Sequence, residues 1–482
     1  MNWYIAIILN KAAIDKGLFV STTFKTITIE EKKKVGNNVE EICLPPKEFR
    51  NNSYNYNKLT KNGLPRKGVL LQAGDVIVGK IITKMNKEEK ITYDNSVTIS
   101  CAEEGVVDKI FITKNSDNYK LIKVRIRSLR IPELGDKFCS RCYDDKTQVL
   151  TDKGWLYFKD LDKTEKMATM IDGVLNYVKP DNYWVYDTPK EGREMIYMEN
   201  KHSSFCVTPN HKMYVKTRYG NNYEEMYAED MFDKMVRFKK NVDYNDKPDI
   251  QYYKVKDVNY NMDDWLQLIG MYISDGSICG NRVDICCTKP RKIEYNINYL
   301  NNMNIDFKYS GDKIYFRCIN IMNELKQCGN YSYNKRLPDW VWDLSQRQCR
   351  ILLDALIEGD GSRSDTDRYY TVSLQLKDDV QKLALHCGWS ADIYLKNYAN
   401  TNEHYYKNKL IKHNYDYWQI CIIKQHNEPW INKKNNPSNI KYKFNYTGKV
   451  YCVEVNPSHL LYVRRVSDNG RRYAPFWCMN SA

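Results

Sequence analysis

The sequence predicts a multidomain chain in which mostly-β parts surround a nested α/β segment. Three observations carry this. Residues 1–141 hold short β-rich stretches punctuated by Gly and Pro. Two apolar helices, each running into Asp-Gly, lie in the middle of the chain at 268–276 and 353–361. A Cys at position 142 is answered at the far end by Asn480-Ser481.

Composition sets the outer limits. A chain of 482 residues with 42% hydrophobic residues is globular and long enough for about three domains. The formal charge of +14 favours a polyanionic partner, although scattered basic residues are as often plain solvated surface. The 39 Tyr, with frequent Asn and Lys, read as the imprint of an AT-rich genome, so Tyr-rich stretches are not taken as stacking platforms. Fifteen Cys and no secretory leader predict a reducing, intracellular location, cytoplasmic, nuclear or viral, and not a secreted protein. No apolar run approaches the roughly 20 residues that span a bilayer, so no membrane partner is expected. Cys139 and Cys142 form one CxxC, and no second pair completes a zinc site.

Along residues 123–131, Val124 and Ile126 fall on one face of a predicted strand and Lys123, Arg125 and Arg127 on the other. Three motifs follow in order: Ile7-Ile-Leu-Asn-Lys-Ala-Ala-Ile-Asp-Lys-Gly-Leu-Phe19, Gly74-Asp-Val-Ile-Val-Gly-Lys80, and Arg125-Ile-Arg-Ser-Leu-Arg-Ile-Pro-Glu-Leu-Gly-Asp-Lys-Phe138 with Ser140-Arg141. With them the segment resembles the second-largest (beta) subunit of multisubunit DNA-directed RNA polymerase. The resemblance implies that Lys137 faces nucleic acid or nucleotide phosphates after splicing. Its implied partners are other polymerase subunits, DNA template and RNA. The acidic residues that the family carries before the first motif are absent. The catalytic metal-binding aspartates of that nucleotidyltransferase belong to its largest subunit, so this part is expected to be a fragment that is inactive alone.

A thiol at Cys142 can attack the carbonyl of Arg141 only if that amide is distorted and its nitrogen protonated. Cys142-Tyr-Asp-Asp-Lys-Thr-Gln-Val-Leu-Thr151 and Val207-Thr-Pro-Asn-His-Lys-Met-Tyr-Val215 resemble the opening blocks of inteins and of hedgehog autoprocessing domains. In that likeness Thr208 donates to the oxyanion and His211 protonates the departing nitrogen. Gly448-Lys-Val-Tyr-Cys-Val-Glu-Val-Asn-Pro-Ser-His459 and Trp477-Cys-Met-Asn480 resemble the closing intein blocks. Ser481 would take the acyl group from Cys142, and Asn480 would cyclise to release residues 142–480 and join Arg141 to Ser481. His459 would move the proton, with Cys452 as helper or as a small buried hydrophobe. Most inteins have His before the terminal Asn; this chain has Met479, which predicts slower C-terminal cleavage. A hedgehog-type domain lacks the terminal Asn and the residue after it. No cofactor is expected for splicing.

Leu268-Ile-Gly-Met-Tyr-Ile-Ser-Asp-Gly276 and Leu353-Asp-Ala-Leu-Ile-Glu-Gly-Asp-Gly361 resemble the LAGLIDADG motif of homing endonucleases. Gly270 with Ser274, and Ala355 with Gly359, put small residues at i, i+4 on one helix face, so two helices can approach closely and bring Asp275 and Asp360 together. Paired carboxylates suit Mg²⁺, which activates water and stabilises the leaving oxygen of a phosphodiester. Lys335 is a candidate for polarising water or phosphate. Residues 369–393 read as strand, amphipathic helix, strand. The resemblance implies two αββαββα-like halves whose sheets lie in the major groove of double-stranded DNA at the intein-free insertion site.

The predicted organisation is a polymerase fragment at 1–141, an all-β horseshoe splicing (Hint) domain at 142–250 and 431–480, a DOD-type LAGLIDADG endonuclease at 251–430, and the resumed host at 481–482. Two rival readings stay open. In one, splicing persists beside a decayed endonuclease; in the other, an inert insertion sits in a transcription-complex module.

Overall fold

The computed structural model describes residues 10–480 apart from 32–37, 86–89, 101–102, 116–117, 133–140, 245–246, 400–402, 407–408, 413 and 433–438. Lys137 and Ser481 therefore lie outside the described residues. The chain divides into two compact units, Met1–Phe138 and Cys139–Ala482.

In the first unit an antiparallel sheet runs in the order Ser21–Glu30, Lys120–Arg130, Gly105–Lys114, Leu70–Leu71. Val124 and Ile126 face its core, where they are fully buried beside Val107 and Leu71, and Lys123 and Arg127 are exposed on the other face. A second sheet joins Asn38–Ile42, Lys80–Met85 and Lys90–Asp94. Gly79, in the Gly74–Lys80 motif, is a close approach of backbones: a Cβ there would lie 2.5 Å from the carbonyl oxygen of Cys43.

The second unit begins and ends in β-structure. One sheet runs Asp243–Tyr244, Val174–Val178, Met167–Ile171, Thr147–Thr151, Leu460–Arg465, Phe476–Met479. Both ends of the unit are thus strands of the same sheet, joined through Thr147–Thr151 and Leu460–Arg465. Its core includes Val149, Phe205, Phe238 and Phe476, and the rings of Phe238 and Phe476 stack at 4.6 Å. Trp430–Ile431 already pairs with Val236–Phe238, so the chain has rejoined this β part by residue 430.

Between them a separate core runs from Val255 to Ile422. It is built on five helices: α1 Met262–Asp275, α2 Pro290–Asn302, α3 Ile319–Leu325, α4 Gln346–Asp360 and α5 Leu374–His386. Asn261 caps α1 by accepting from the Asp263 amide, and Ser345 caps α4 by accepting from the Gln348 amide. The first half reads α1, hairpin Gly276–Cys279 with Arg282–Cys286, α2, hairpin Phe307–Ser310 with Lys313–Phe316, α3. The second half repeats the order with α4, Gly361–Ser362 with Asp367–Thr371, α5, and Ser390–Asn397 with Tyr417–Ile423.

α1 and α4 cross in contact. A Cβ on Gly270 would lie 2.5 Å from the Cβ of Ala355, and one on Gly359 would lie 2.3 Å from the Cβ of Ser274. The small residues picked out from the sequence are the contact points. The terminal glycines stop the helices for a reason other than a left-handed cap. Gly276 and Gly361 have extended backbones with φ of −96° and −105°. A Cβ at Gly361 would meet the Ile357 carbonyl oxygen at 2.3 Å, and one at Gly276 would meet the Tyr272 Cα at 2.6 Å. Glycine is required there by space.

The polar side of α5 departs from the amphipathic expectation. Lys377, Asp379, Gln381, Lys382 and His386 are buried along with its leucines. Leu385 belongs to a cluster with Leu150, Leu175, Tyr462 and Trp477 of the β part. The reason is that α5 is covered on both sides, by its own sheet and by the β part of the unit.

Candidate functional site

Two clusters gather the residues singled out from the sequence. The first lies where the chain ends of the second unit meet. Tyr143 bridges two neighbours: its amide donates to the Tyr451 carbonyl at 2.9 Å, and it forms a further bridge to Val207. This seats Cys142, fully buried, beside Thr208. The Cys142 amide donates to the Thr208 hydroxyl oxygen at 3.2 Å, and the Thr208 amide returns a bond of 3.2 Å to the Cys142 carbonyl. Thr208 is thus placed on the amide that Cys142 shares with Arg141. Cys452 packs in one apolar cluster with Cys142, Met195, Tyr197 and Cys206.

His211 is buried beneath Tyr143, their rings edge to face at 4.5 Å. Its Nε2 lies 3.0 Å from the carbonyl oxygen of Met479, which also accepts the Tyr143 hydroxyl at 2.5 Å. Burial holds the Tyr143 phenol well above its usual pKa, so it stays a donor. The Cys478 thiol lies 3.5 Å from the same His211 nitrogen, and burial pushes that thiol up to about 12. Tyr143 and Cys478 carry no signal in the sequence, because neither has a residue type or spacing that points at a carbonyl so far along the chain.

Asn480 is fully buried, and its amide donates to the His459 carbonyl at 2.7 Å. His459 sits in the left-handed region at φ 54°, and its amide donates to the Val455 carbonyl at 3.0 Å. The Asn480 Nδ2 donates to that carbonyl too, at 3.4 Å. His459 Nδ1 and Asn480 Oδ1 are buried with no hydrogen-bond partner among the described residues. Cys142, Thr208, His211, Cys452, His459 and Asn480 are therefore assembled from opposite ends of the unit into one largely water-excluded region.

The second cluster lies at the ends of α1 and α4. Asp275 pairs with Lys292 of α2 at 2.6 Å, a partner that sequence reasoning missed because nothing in its motif marks Lys292. Asp360 keeps a solvent-exposed surface. Protein crowding its carboxyl, and then the like charge of Asp275, push its pKa up to about 7. Lys335 is buried rather than exposed. Its Nζ donates to the carbonyls of Tyr272 at 2.7 Å and Gly276 at 2.9 Å, capping the end of α1, and lies 3.6 Å from the Tyr272 ring centroid. Burial brings its pKa down to about 8. Among the described residues no group of three His, Cys, Asp or Glu gathers as metal ligands. The two carboxylates are what a cation would find here.

Residues 2–144 match the family model described as RNA polymerase Rpb2, domain 6. The chain is similar to a DNA-directed RNA polymerase subunit beta C-terminal section from Stigeoclonium helveticum, 28% identical over 386 residues, 67% of this chain and 35% of that protein. It is 39% identical over 145 residues to the DNA-directed RNA polymerase II subunit RPB2 of Encephalitozoon cuniculi, 28% of this chain and 13% of that protein. These matches support a fragment of the second-largest RNA polymerase subunit at the front of the chain. It is also 29% identical over 292 residues to an ATP-dependent Clp protease proteolytic subunit from Chlamydomonas moewusii, 53% of this chain and 28% of that protein. That share is more of the chain than residues 2–144 contain. The chain spans 35% or less of the length of these curated relatives. Among the described residues no helix is long and apolar enough to cross a membrane.

Proposed function

We propose that residues 142–480 are an intein with a nested LAGLIDADG homing endonuclease, interrupting a fragment of the second-largest RNA polymerase subunit. The observation that carries this reading is the junction geometry: Tyr143 and Met479, 336 positions apart, are hydrogen-bonded inside one buried cluster that also holds Cys142, Thr208, His211 and Asn480, with the half-buried His459 bonded to Asn480 beside it. A second support is that proteins named for RNA polymerase and for Clp protease share long stretches with this chain. A segment that moves between unrelated hosts accounts for both.

In this reading the Cys142 thiolate attacks the Arg141 carbonyl, the amide nitrogen takes a proton, and a thioester forms. Ser481 then takes the acyl group. The Asn480 Nδ2 attacks its own backbone carbonyl, the bond to Ser481 breaks, and His459 moves the proton. A final O-to-N shift joins Arg141 to Ser481. The host fragment would work with other polymerase subunits, template and RNA, with Lys137 toward the nucleic acid.

For cleavage of DNA, Asp275 and Asp360 would hold Mg²⁺. The raised pKa of Asp360 beside Asp275 fits a site where a cation relieves like-charge repulsion. Mg²⁺ commonly uses one or two carboxylates and completes its shell with water and phosphate oxygens. When bound it would activate water and stabilise the leaving oxygen.

The test is intact-mass analysis of the expressed chain together with a DNA assay. An excised species for residues 142–480 and a ligated host are expected, and Cys142→Ala should leave at most cleavage at Asn480. Ligated flanks from that variant would remove Cys142 as nucleophile. A duplex encoding residues 135–141 joined directly to 481–482 should be cut in Mg²⁺ and spared by Asp275→Asn or Asp360→Asn.

A further inference from the structure

Lys335 does not hold its place alone. The strap at 335–338 is fastened to α5 at two points: the Ser373 hydroxyl donates to the Lys335 carbonyl at 2.6 Å, and the Asp379 carboxylate accepts the Leu337 amide at 2.9 Å. α5 is itself fixed from the β part of the unit. Arg464, in the strand Leu460–Arg465, is fully buried with its guanidinium between the rings of Trp155 and Tyr473, at 4.3 and 4.7 Å. Its Nε donates to Gln148 at 2.7 Å. Its Nη1 reaches Gln381 of α5 at 2.6 Å and Asp378 of α5 at 2.9 Å. A planar fork with every partner fixed sets position as well as charge. The bonds run without a break from Gln148 through Arg464 and α5 to Lys335, and from Lys335 to the Tyr272 and Gly276 carbonyls that flank Asp275.

We infer that Arg464, a residue of the splicing part, is a positioning residue for DNA cleavage: through α5 it holds the Lys335 strap, and with it the end of α1 that carries Asp275. This rests on the cleavage reading proposed above. Arg464 touches neither carboxylate, so its effect belongs on the rate of the cut rather than on DNA affinity.

The experiment uses the full chain carrying Cys142→Ala, so that ligation does not change the species. Single-turnover cleavage of the junction duplex in Mg²⁺ and its affinity without metal are both measured. Arg464→Gln should lower the cleavage rate ~10-fold with affinity changed less than about twofold, and Arg464→Lys, which keeps the charge opposite Asp378, should recover at least about a third of the wild-type rate. In a Lys335→Met background Arg464→Gln should change the remaining rate by less than about twofold, because a residue acting through Lys335 has nothing left to position. If Arg464→Gln does not fold, Gln381→Leu, which keeps the Arg464 to Asp378 pair, carries the same comparison. Equal losses in both backgrounds, or no loss in wild type, would overturn the inference. A wild-type chain that leaves the duplex whole overturns the cleavage reading and this inference with it.

Discussion

At Met479 one carbonyl oxygen takes both the Tyr143 hydroxyl and His211 Nε2, and this fixes the residue before Asn480, the residue proposed to cyclise. In the proposed splicing reading, where most inteins place His at that position, these two donors would supply the orientation that a histidine would help to give. Tyr143→Phe should therefore slow release of Ser481 by ~10-fold, since losing one buried hydrogen bond to a reacting segment is worth about 1–2 kcal/mol. The measurement is C-terminal cleavage followed by mass with Cys142→Ala in place; an unchanged rate would show that His211 alone fixes the carbonyl. Asp360 gives a second prediction. Because its pKa is raised to about 7, a proton occupies it below that pH and competes with a cation. The Mg²⁺ concentration for half-maximal cleavage should rise as pH falls through 7, by up to ~10-fold per unit. A metal titration at pH 6, 7 and 8 checks this, and a flat result would remove Asp360 as a ligand of the proposed Mg²⁺.

α1 and α4 show which parts of an element are legible in sequence. Helical spacing alone put Gly270 with Ser274 and Ala355 with Gly359 on contact faces, because i and i+4 share a face whatever the tertiary context. The close approach itself, a hypothetical Cβ at Gly270 within 2.5 Å of Ala355, is a property of the pair. Gly270→Ala should destabilise the unit by about 1–3 kcal/mol through overpacking and lower DNA cleavage. Adding Ala355→Gly removes the opposing Cβ and should restore most of the loss. Thermal unfolding of the two variants decides it: a double variant no better than the single one would mean that the helices do not meet there. Lys292 shows the opposite case. Its pairing with Asp275 depends on how α2 packs against the end of α1, which no local pattern reports.

Across the second unit, α5 joins the inserted core to the β part, and His386 at its last turn registers that contact. The Tyr177 hydroxyl lies 2.9 Å from its Nε2, and the rings of Tyr244 and Trp342 pack around it at 4.5 and 5.4 Å. Burial, then the charges of Lys382 and Lys247, hold its pKa well below the usual 6.5. The unfolded chain then binds a proton that the folded one refuses, so stability is present above about 6.5 and is lost as pH falls below it, by up to about 1.4 kcal/mol per unit. Denaturant unfolding between pH 7.5 and 5.5 should show that loss, and His386→Phe should flatten it. A slope unchanged in the variant would assign the loss elsewhere.

By itself the sequence determined the bounded arrangement of this protein: a Gly- and Pro-punctuated β segment with Val124 and Ile126 facing inward, Cys142 and Asn480 marked out at the two ends of the second unit, and two small-residue helices ending in Asp275 and Asp360. These are readable because residue type and periodicities of 2 and 3.6 act locally. Tertiary structure decided what covers α5. Its sequence has the pattern of a helix with one wet side, yet Lys377, Gln381 and Lys382 are buried. Buried polar groups persist only where partners meet them, and here Arg464 reaches Gln381 and Asp378 while the Asp152 carbonyl accepts from Lys382, partners from a strand and a turn far along the chain. The same holds for the Met479 carbonyl, whose two donors are supplied by the opposite end of the unit and are set by sheet register rather than by any neighbouring residue.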